Sequence, residues 1–425
     1  MDQRPGRGSE NSSPRVESAR PARHWPVALR ALRHQDFRRF WLGLLISTTG
    51  TWMQRAAQGW LVYELTGRAL YLGLVAACGA LPMMVLSLPA GVLADRLRKR
   101  NVLLVTQSLA MLQALLLAAL IYAEVVVVWH VMILAAFLGT VWAFDMTTRH
   151  AMVLELVEKE DALNAISLNS FAFNTGRLVG PAVAGVLMAL VGLAVCFLMN
   201  GLTFLALIAA LIMIAPRPPA SAPRRPMMQQ IGEGFRWARG SPVALVLLAM
   251  ITVASLFAVP YVVLLPVIAG DVFQTGPEGY GFLMAAPAAG ALAAAFLLTA
   301  LGHGARLGAL ATVGAFFFPV ALISVAAAPS YAFSIVGLFF TGMGMMTFNV
   351  VANTMLQRAS PDELRGRVMS LRSFVFAGMS WLGHAQMGAL AEWFTARTAL
   401  AIGATVCLLA AAAAWWRVPE LRRTN

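Results

Sequence analysis

The chain has 425 residues, of which 59% are hydrophobic and only 12% are charged. Soluble domains carry roughly 25% charged residues, so this composition argues against a soluble globular protein. The net charge of +13 comes from basic residues in short stretches between apolar runs, as in membrane proteins. A basic groove for nucleic acid needs a soluble fold to carry it, and we therefore expect no nucleic-acid partner.

Twelve apolar runs follow one another along the chain, and one bilayer crossing takes about 20 apolar residues. Outside the runs, nearly all basic residues lie on the side of the two termini, and only Arg68 and Arg397 lie on the other. Because basic loops stay in the cytoplasm, both termini are predicted to be cytoplasmic. The runs cover residues 40–62, 70–93, 101–122, 127–148, 165–190, 194–215, 243–268, 279–300, 306–327, 331–354, 369–391 and 398–416.

The longest interior break separates six apolar runs from the other six. It begins as a proline-rich extended linker and continues as a short amphipathic helix over 227–239. The sequence therefore predicts five regions. They are a disordered, arginine-rich cytoplasmic tail over 1–39, an N-terminal six-helix bundle over 40–215, a cytoplasmic linker over 216–242, a C-terminal six-helix bundle over 243–417 and a cytoplasmic tail over 418–425.

The two halves of the sequence are similar to each other. Ser167 to Phe171 recurs as Ser370 to Phe374, and at the same spacing Gly185 matches Gly388. These repeats predict an all-α polytopic membrane protein with twelve transmembrane helices in two pseudo-symmetric six-helix bundles. Duplicated membrane halves place a substrate near the bilayer midplane between them and work by alternating access.

A basic motif ends the second apolar run. Gly91 allows close helix approach, and Asp95 at the membrane edge can pair with an arginine or with a helix N-terminus. The motif resembles the loop signature of the major facilitator superfamily, which implies a cytoplasmic gate; an ordinary positive loop is the alternative. The basic residues assigned to this gate are Arg96, Arg98, Lys99, Arg100 and, further along the chain, Arg149.

The fifth run contains a stretch of small residues around one proline. It resembles the fifth-helix motif of facilitator antiporters, and this resemblance implies export. Small residues permit tight helix packing, and Pro181 bends or weakens the helix locally. The residues assigned to the motif are Gly176, Arg177, Gly180, Pro181 and Gly185.

Three further stretches indicate a particular subgroup within the superfamily. Gly50 to Gln54, Trp60 to Gly67 and Asn164 to Ser170 are similar to the facilitator subgroup that includes the enterobactin exporters. The likeness covers most of residues 37–420. It implies a transporter of the bacterial inner membrane, with the bilayer and a small molecule as partners. A monomer is expected, as is a proton gradient in place of a cofactor.

Charged residues inside a span are costly unless they are paired or functional. Asp145 is the acid placed well within a span, and Arg149 or Arg177 can pair with it. The alternative is that Asp145 binds and releases a proton as access alternates. His384 is a second candidate for this proton, although a lone histidine in a helix more often serves packing.

Several polar residues in the spans are candidates for a substrate cavity. They either join helices through hydrogen bonds or line a water-filled space between the halves. A free guanidinium at Arg55 favours planar anionic oxygens, so an anionic cargo is predicted. The cavity candidates are Gln54, Arg55, Gln58, Asn174, Arg177, Asn349 and Asn353.

Together these features predict a secondary transporter that exports a siderophore-like or other anionic or amphipathic small molecule in exchange for protons. A drug or lysolipid transporter and a uniporter remain alternatives within transport. A polytopic membrane enzyme or a sensor is the alternative outside it. The sequence holds no HExxH motif, no GxxxxGK[ST] motif and no His/Cys cluster, so neither a catalytic constellation nor a metal site is expected.

Overall fold

A computed structural model describes residues 26–217, 227–301 and 307–418 of the chain. These residues are helical, and the described part contains no strand. The helices are α1 Gln35–Thr66, α2 Ala69–Arg96, α3 Lys99–Tyr122, α4 Val128–Glu155, α5 Ala162–Val191, α6 Leu193–Met213, α7 Met227–Arg239, α8 Pro242–Val272, α9 Gly276–Leu301, α10 Leu307–Ala326, α11 Tyr331–Ala359, α12 Asp362–Trp393 and α13 Ala396–Arg417.

The predicted all-α membrane fold is confirmed. Ten of the described helices, α2 through its segment Ala69–Ser87 among them, are long and apolar enough to cross a bilayer. The other two long helices are α1 and α12, each of 32 residues. Both are long enough to cross a bilayer, but they contain several charged residues, which lower their mean hydropathy. Of the predicted twelve spans, ten therefore have both the length and the composition of a span.

Helical structure is present before the predicted tail boundary at residue 39. Val27–Arg33 form a 3-10 helix, and α1 starts at Gln35. Ala31 and Phe37 are fully buried, and their burial is the physical reason why this segment is folded. Residues 1–25, the proline-rich stretch 218–226 and residues 419–425 lie outside the described part of the chain.

The two halves, α1–α6 and α8–α13, repeat the same packing. In the first half α2 packs on α4 and α3 packs on α6, and in the second half α9 packs on α11 and α10 packs on α13. Between the halves, α2 packs on α12 and α5 packs on α9. The internal repeat of the sequence thus corresponds to a repeated helix arrangement, with two equivalent crossings joining the halves.

The two ends of the helix bundle differ, and each is named here by its connections. The basic end carries the connections 96–99, 155–162, 213–242 and 359–362. The closed end carries the connections 66–69, 122–128, 191–193, 272–276, 326–331 and 393–396.

The buried core is divided differently at the two ends. At the closed end one continuous cluster includes side chains of both halves, such as Trp60 of α1 and Tyr280 of α9. At the basic end each half has its own cluster, represented by Leu103 in the first half and Leu356 in the second. The halves therefore share a core at the closed end, whereas the two basic-end cores stay within their own halves.

Helix α8 is irregular, although its counterpart α1 is continuous. After Val253 the chain forms a π-helix over Ala254–Ala258, a 3-10 helix over Val259–Leu264 and a second π-helix over Ile268–Val272. Prolines remove backbone donors, and π-turns within helices are frequent at functional sites. Here the irregular stretch contains Pro260 and Pro266.

Candidate functional site

The crossing of α2 and α12 at the closed end depends on two glycines. A Cβ atom on Gly73 would lie 2.9 Å from the Cα of Gly388 and 2.5 Å from the carbonyl oxygen of His384. A Cβ on Gly388 would lie 2.8 Å from the carbonyl oxygen of Ala69. Because these approaches are backbone to backbone, no side-chain rearrangement could relieve them.

The crossing of α5 and α9 is built in the same way, and it contains the antiporter-like motif. A Cβ on Gly281 would lie 2.5 Å from the carbonyl oxygen of Pro181 and 2.8 Å from the Cα of Gly185. On the other side of α5, Gly176 and Gly180 lie against α1, where a Cβ would come within 3.0 and 2.7 Å of its atoms. The motif thus packs α5 tightly between α1 and α9.

Polar contacts add to the closed end. The Tyr63 hydroxyl donates to Asp271 Oδ1 at 2.5 Å, and Arg68 Nε donates to Glu392 Oε1 at 2.7 Å. Both contacts join the first half to the second. The hydrogen bond to Glu392 and its charge raise the pKa of the Arg68 guanidinium. Because the Arg68 side chain is 52% exposed, this pair adds little stability.

At the basic end the gate residues bind within their own half. Lys99 is buried and pairs with Glu155, and Arg100 Nε donates to the Leu211 carbonyl oxygen at 2.7 Å. In the second half, Arg367 pairs with Glu233 at 2.5 Å. Each ion pair that the described residues form at this end joins two residues of the same half or its adjoining linker.

The predicted close approach at Gly91 does not occur in this structure. A Cβ on Gly91 would meet no atom within 4 Å, and the same holds for Gly366 on α12. The physical reason is that α2 and α12 contact each other at the closed end and leave these basic-end glycines free. Arg96 and Arg98 are exposed, and the side chain of Asp95 lies outside the described part of the structure.

A group of cationic and aromatic side chains lies in the first half. The Arg55 guanidinium carbon lies 4.7 Å from the ring centroid of Trp52 and 4.8 Å from that of Trp142. The guanidinium carbon of Arg177 lies 5.8 Å from the same Trp52 ring. Among the described residues, neither arginine forms an ion pair with a carboxylate. Cation–π contacts of this kind stabilise a charge without neutralising it.

The second half supplies two further groups near these arginines. Tyr261 is 1% exposed, its hydroxyl has no hydrogen-bond partner among the described residues, and the Arg177 charge acts on it. His384 on α12 is half-buried and lies close enough to Arg55 for an electrostatic interaction. Its Nδ1 lies 3.4 Å from the hydroxyl oxygen of Ser380. We define the cation site as Trp52, Arg55, Trp142, Arg177 and Tyr261.

The amides predicted to line a cavity have different surroundings. Gln54 is buried inside the first half, where it donates to Gln113 at 2.8 Å and accepts from Asn200 at 2.6 Å. It therefore joins α1 to α3 and α6 and points away from Arg55, which is exposed. Asn174 donates to the Ser170 carbonyl oxygen in its own helix at 2.9 Å.

The remaining predicted amides lie at less enclosed positions. Gln58 in the first half and Asn353 in the second are half-buried. Asn349 accepts a hydrogen bond from Arg372 at 3.0 Å. Arg372 lies in α12, which begins at Asp362 and not at residue 369 as the sequence pattern indicated.

Asp145 lies inside the first half, between α3 and α4. It is 2% exposed, pairs with Arg149 and accepts hydrogen bonds from Thr106 at 3.0 Å and Gln107 at 2.6 Å. Of the two ion pairs considered from the sequence, the one with Arg149 forms. The carboxylate thus has two neutral donors and one guanidinium as partners, all within the first half.

Another acid, Asp161, holds the segment before α1 in place. Its carboxylate binds Arg30 at 2.6 Å, Arg33 at 2.9 Å and His34 at 2.8 Å. Burial raises the pKa of Asp161, but the His34 hydrogen bond and the two arginine charges outweigh burial and hold it below its usual value. His34, Glu158 and Asp161 could together ligate a metal ion, but the ion would have to displace arginines from Asp161.

Sequence reasoning missed the aromatic half of the cation site. Trp52 lies three residues before Arg55, a spacing that places both on one helix face; this signal was available. Trp142 and Tyr261 come from other helices, and no local pattern connects them to Arg55.

The family described as transmembrane secretion effector matches residues 27–425. The chain belongs to this family of major facilitator transporters. It is 28% identical over 368 residues to a staphyloferrin A transporter of Staphylococcus aureus, covering 84% of this chain and 91% of that protein. It is 27% identical over 382 residues to the enterobactin exporter EntS of Shigella boydii, covering 87% and 89%. The predicted superfamily, subgroup and non-enzymatic nature are thus confirmed.

Solved structures show the same fold. A bacterial homologue of the human lysosomal transporter Spinster, in an inward-facing and unoccupied conformation, matches with a TM-score of 0.71 at 14% identity. The match covers 92% of this chain and 97% of that chain. The nucleoside transporter NupG matches with a TM-score of 0.70 at 11% identity, covering 92% and 99%. At these identities the likeness concerns the fold alone.

Proposed function

We propose that this membrane transporter exports a small anionic molecule by alternating access, in exchange for protons. The observation that carries the proposal is the cation site, where Arg55 and Arg177 lie without a carboxylate partner in the described structure. Unpaired charge within a membrane protein is costly and marks a substrate pathway. Two guanidiniums bind best to an anion with planar oxygens, such as a carboxylate.

The difference between the two ends supports alternating access. We assign the basic end to the cytoplasm, because basic loops stay on that side. The structure then corresponds to an inward-open state, with the closed end towards the periplasm. In this state the shared core and the glycine crossings block the outer side, and cargo enters from the cytoplasm.

The chemistry of the relatives agrees with an anionic cargo. One relative is named for staphyloferrin A and another for enterobactin, and both names denote siderophores. We propose a siderophore-like cargo for this chain, carrying carboxylate or catecholate oxygens. Aromatic faces at Trp52 and Trp142 additionally suit a cargo with flat apolar parts.

We assign proton coupling to His384 rather than to Asp145. His384 lies on α12 at the contact between the halves. A positive charge on His384 would repel the Arg55 guanidinium. Asp145 is enclosed within the first half by three hydrogen-bonding or charged partners. A proton carrier has to meet the two sides of the membrane in turn, and His384 is the better placed of the two.

Export from proteoliposomes with an imposed proton gradient tests the proposal. We expect Arg55→Gln to reduce export of anionic compounds by roughly tenfold or more, since hydrogen bonds to charged groups contribute about 1.5–3 kcal/mol. The matched control is Arg417→Gln, which changes an exposed arginine at the end of α13. Preferential export of cations, unaffected by Arg55→Gln, would refute an anionic cargo.

The same assay tests coupling. A His384→Gln variant should export down a cargo gradient but lose its response to the proton gradient. If His384→Gln responds like the unmodified protein and Asp145→Asn does not, the assignment to His384 is wrong.

A further inference from the structure

A further arginine without a carboxylate partner in the described structure lies in a long helix of the second half. Arg372 of α12 is half-buried, and its Nη2 donates to Asn349 Oδ1 of α11 at 3.0 Å. Its Nε is buried and has no hydrogen-bond partner in the described structure. No described carboxylate pairs with it. An arginine in this position keeps donor capacity that the surrounding protein does not use.

A second unused donor borders the same place. Ser255, on the first π-helical stretch of α8, is 1% exposed, and its hydroxyl has no partner among the described residues. Ser255 and Asn349 line one small cavity together with Phe376 of α12. Arg372 is connected to this cavity through its hydrogen bond to Asn349.

The polar groups around the cavity leave two hydrogen-bond donors without a partner in the described structure. The Asn349 amide nitrogen already donates to the Met345 carbonyl oxygen at 3.2 Å, and its oxygen accepts from Arg372. The Arg372 Nε–H and the Ser255 hydroxyl remain available. The cavity lining is otherwise apolar. Two unused donors and the positive charge of Arg372 beside it are complementary to an oxyanion and repel a cation.

We propose that Arg372, Asn349 and Ser255 form a second anion subsite that binds one carboxylate group of the cargo. The cation site in the first half binds another carboxylate of the same molecule. The cargo is therefore a small molecule with at least two carboxylates, held between the two halves. The inference rests on the proposed function for calling the ligand cargo, but the existence of the subsite is independent of transport.

Equilibrium binding to the purified full chain tests the subsite without any gradient. The protein is placed in phosphatidylcholine nanodiscs and titrated by calorimetry with linear dicarboxylates of four to ten carbons. Monocarboxylates of equal length serve as reference ligands. We expect one dicarboxylate length to bind best, because only that length places both carboxylates on their arginines.

The variants assign this affinity to particular residues. Arg372→Gln should lower the affinity for the best-binding dicarboxylate by roughly tenfold or more, so that it equals the affinity for the monocarboxylate of the same length. Ser255→Ala should lower the same affinity by roughly threefold, since the substitution removes one neutral donor. Arg372→Lys keeps the charge but not the planar fork, so an intermediate loss is expected. Arg365→Gln, an exposed arginine on the same helix, is the matched control and should bind as the unmodified protein does.

Three outcomes would overturn the subsite. The first is that Arg372→Gln, shown to be folded by an unchanged melting temperature, binds every acid as the unmodified protein does. The second is affinity that rises smoothly with chain length and is equal for mono- and dicarboxylates. The third is that phosphatidylglycerol, added to the nanodiscs in a parallel titration, binds through Arg372 and excludes the acids, which would assign the pocket to a lipid headgroup. Failure of export with intact dicarboxylate binding would instead contradict the proposed function alone.

Discussion

The closed end and the basic end use the same helices for opposite purposes. Along α2 and α12, Gly73 and Gly388 bring the two backbones into contact, whereas Gly91 and Gly366 have no atom within 4 Å of a Cβ position. The closed end has one core shared by both halves, and the basic end has two separate cores. A pair of helices that touches at one end only can rock about that contact.

The chemistry of the two ends also differs. Contacts between the halves at the closed end are mostly apolar, with Tyr63–Asp271 and Arg68–Glu392 at the rim. At the basic end, ion pairs such as Lys99–Glu155 stiffen each half separately. Each bundle is thus stabilised by its own core and ion pairs. Such bundles keep their structure when the contact between them changes, as the proposed alternating access requires.

The largest effect is expected from Asp145→Asn, which tests whether the first half is stabilised from within. The change leaves the partly enclosed Arg149 without its counter-charge, and breaking a buried pair costs about 3 kcal/mol or more. The melting temperature in detergent should fall by several degrees. Adding Arg149→Gln should restore most of it, because the remaining side chains are neutral and can hydrogen-bond. A single variant as stable as the unmodified protein would show that this pair does not stabilise the half.

The next effect concerns the closed-end crossing. In Gly388→Ala the new methyl group would lie 2.8 Å from the Ala69 carbonyl oxygen, and overpacking of this kind costs about 1–3 kcal/mol. Export should fall roughly tenfold, since the closed end can no longer close. Gly232→Ala on the linker helix α7, where a Cβ would meet no atom within 4 Å, is the control and should export normally. Equal activity of the two variants would mean that the crossing does not control access.

A smaller effect is expected at the basic end from Asp95→Asn. We expect Asp95 to act as a cytoplasmic latch in the proposed outward-facing state, so that removing its charge should bias the population of states. Export should fall roughly fivefold, while expression and melting temperature stay unchanged. Normal export by a well-expressed variant would contradict the role of Asp95 as a latch.

The smallest effect is expected from Asp161→Asn, which loosens the segment before α1. The pKa of Asp161 is held below its usual value of 3.8, so its stabilising contribution is complete above that pH. The contribution is lost as the pH falls through the lower pKa of the folded protein. At pH 7 the variant should be less stable by about 1 kcal/mol, and the difference should vanish in strong acid. Melting curves from pH 7 to pH 2.5 measure it; a constant difference would contradict the ion-pair account.

Patterns along the chain predicted the fold well because they are local. Apolar runs, proline-rich breaks and the recurrence of Gly185 as Gly388 each need only the sequence. Both of these glycines lie at the crossings between the halves. The repeat therefore predicted more of the assembly than any single motif did.

Partner choice at the site could not be predicted from the same patterns. Asp145 had two possible partners, and only the rotation of α4 relative to α5 decides between Arg149 and Arg177. Arg55 contacts Trp142 across helices, which no spacing encodes. Arg372 contacts Asn349 across two helices, which no spacing encodes, so the proposed subsite could not be predicted from the sequence.

Distances across the two ends measure the central claim most directly. Spin labels at exposed positions are placed on one closed-end pair, Tyr122 and Trp393, and on one basic-end pair, Leu163 and Trp416, after replacement of the three native cysteines. Pulsed electron paramagnetic resonance is then recorded with and without dicarboxylate, at neutral and at acidic pH. The account predicts opposite changes, with the basic-end distance shortening in the same conditions in which the closed-end distance lengthens. Distances that change together, or a closed end that never opens in a protein that exports, would contradict it.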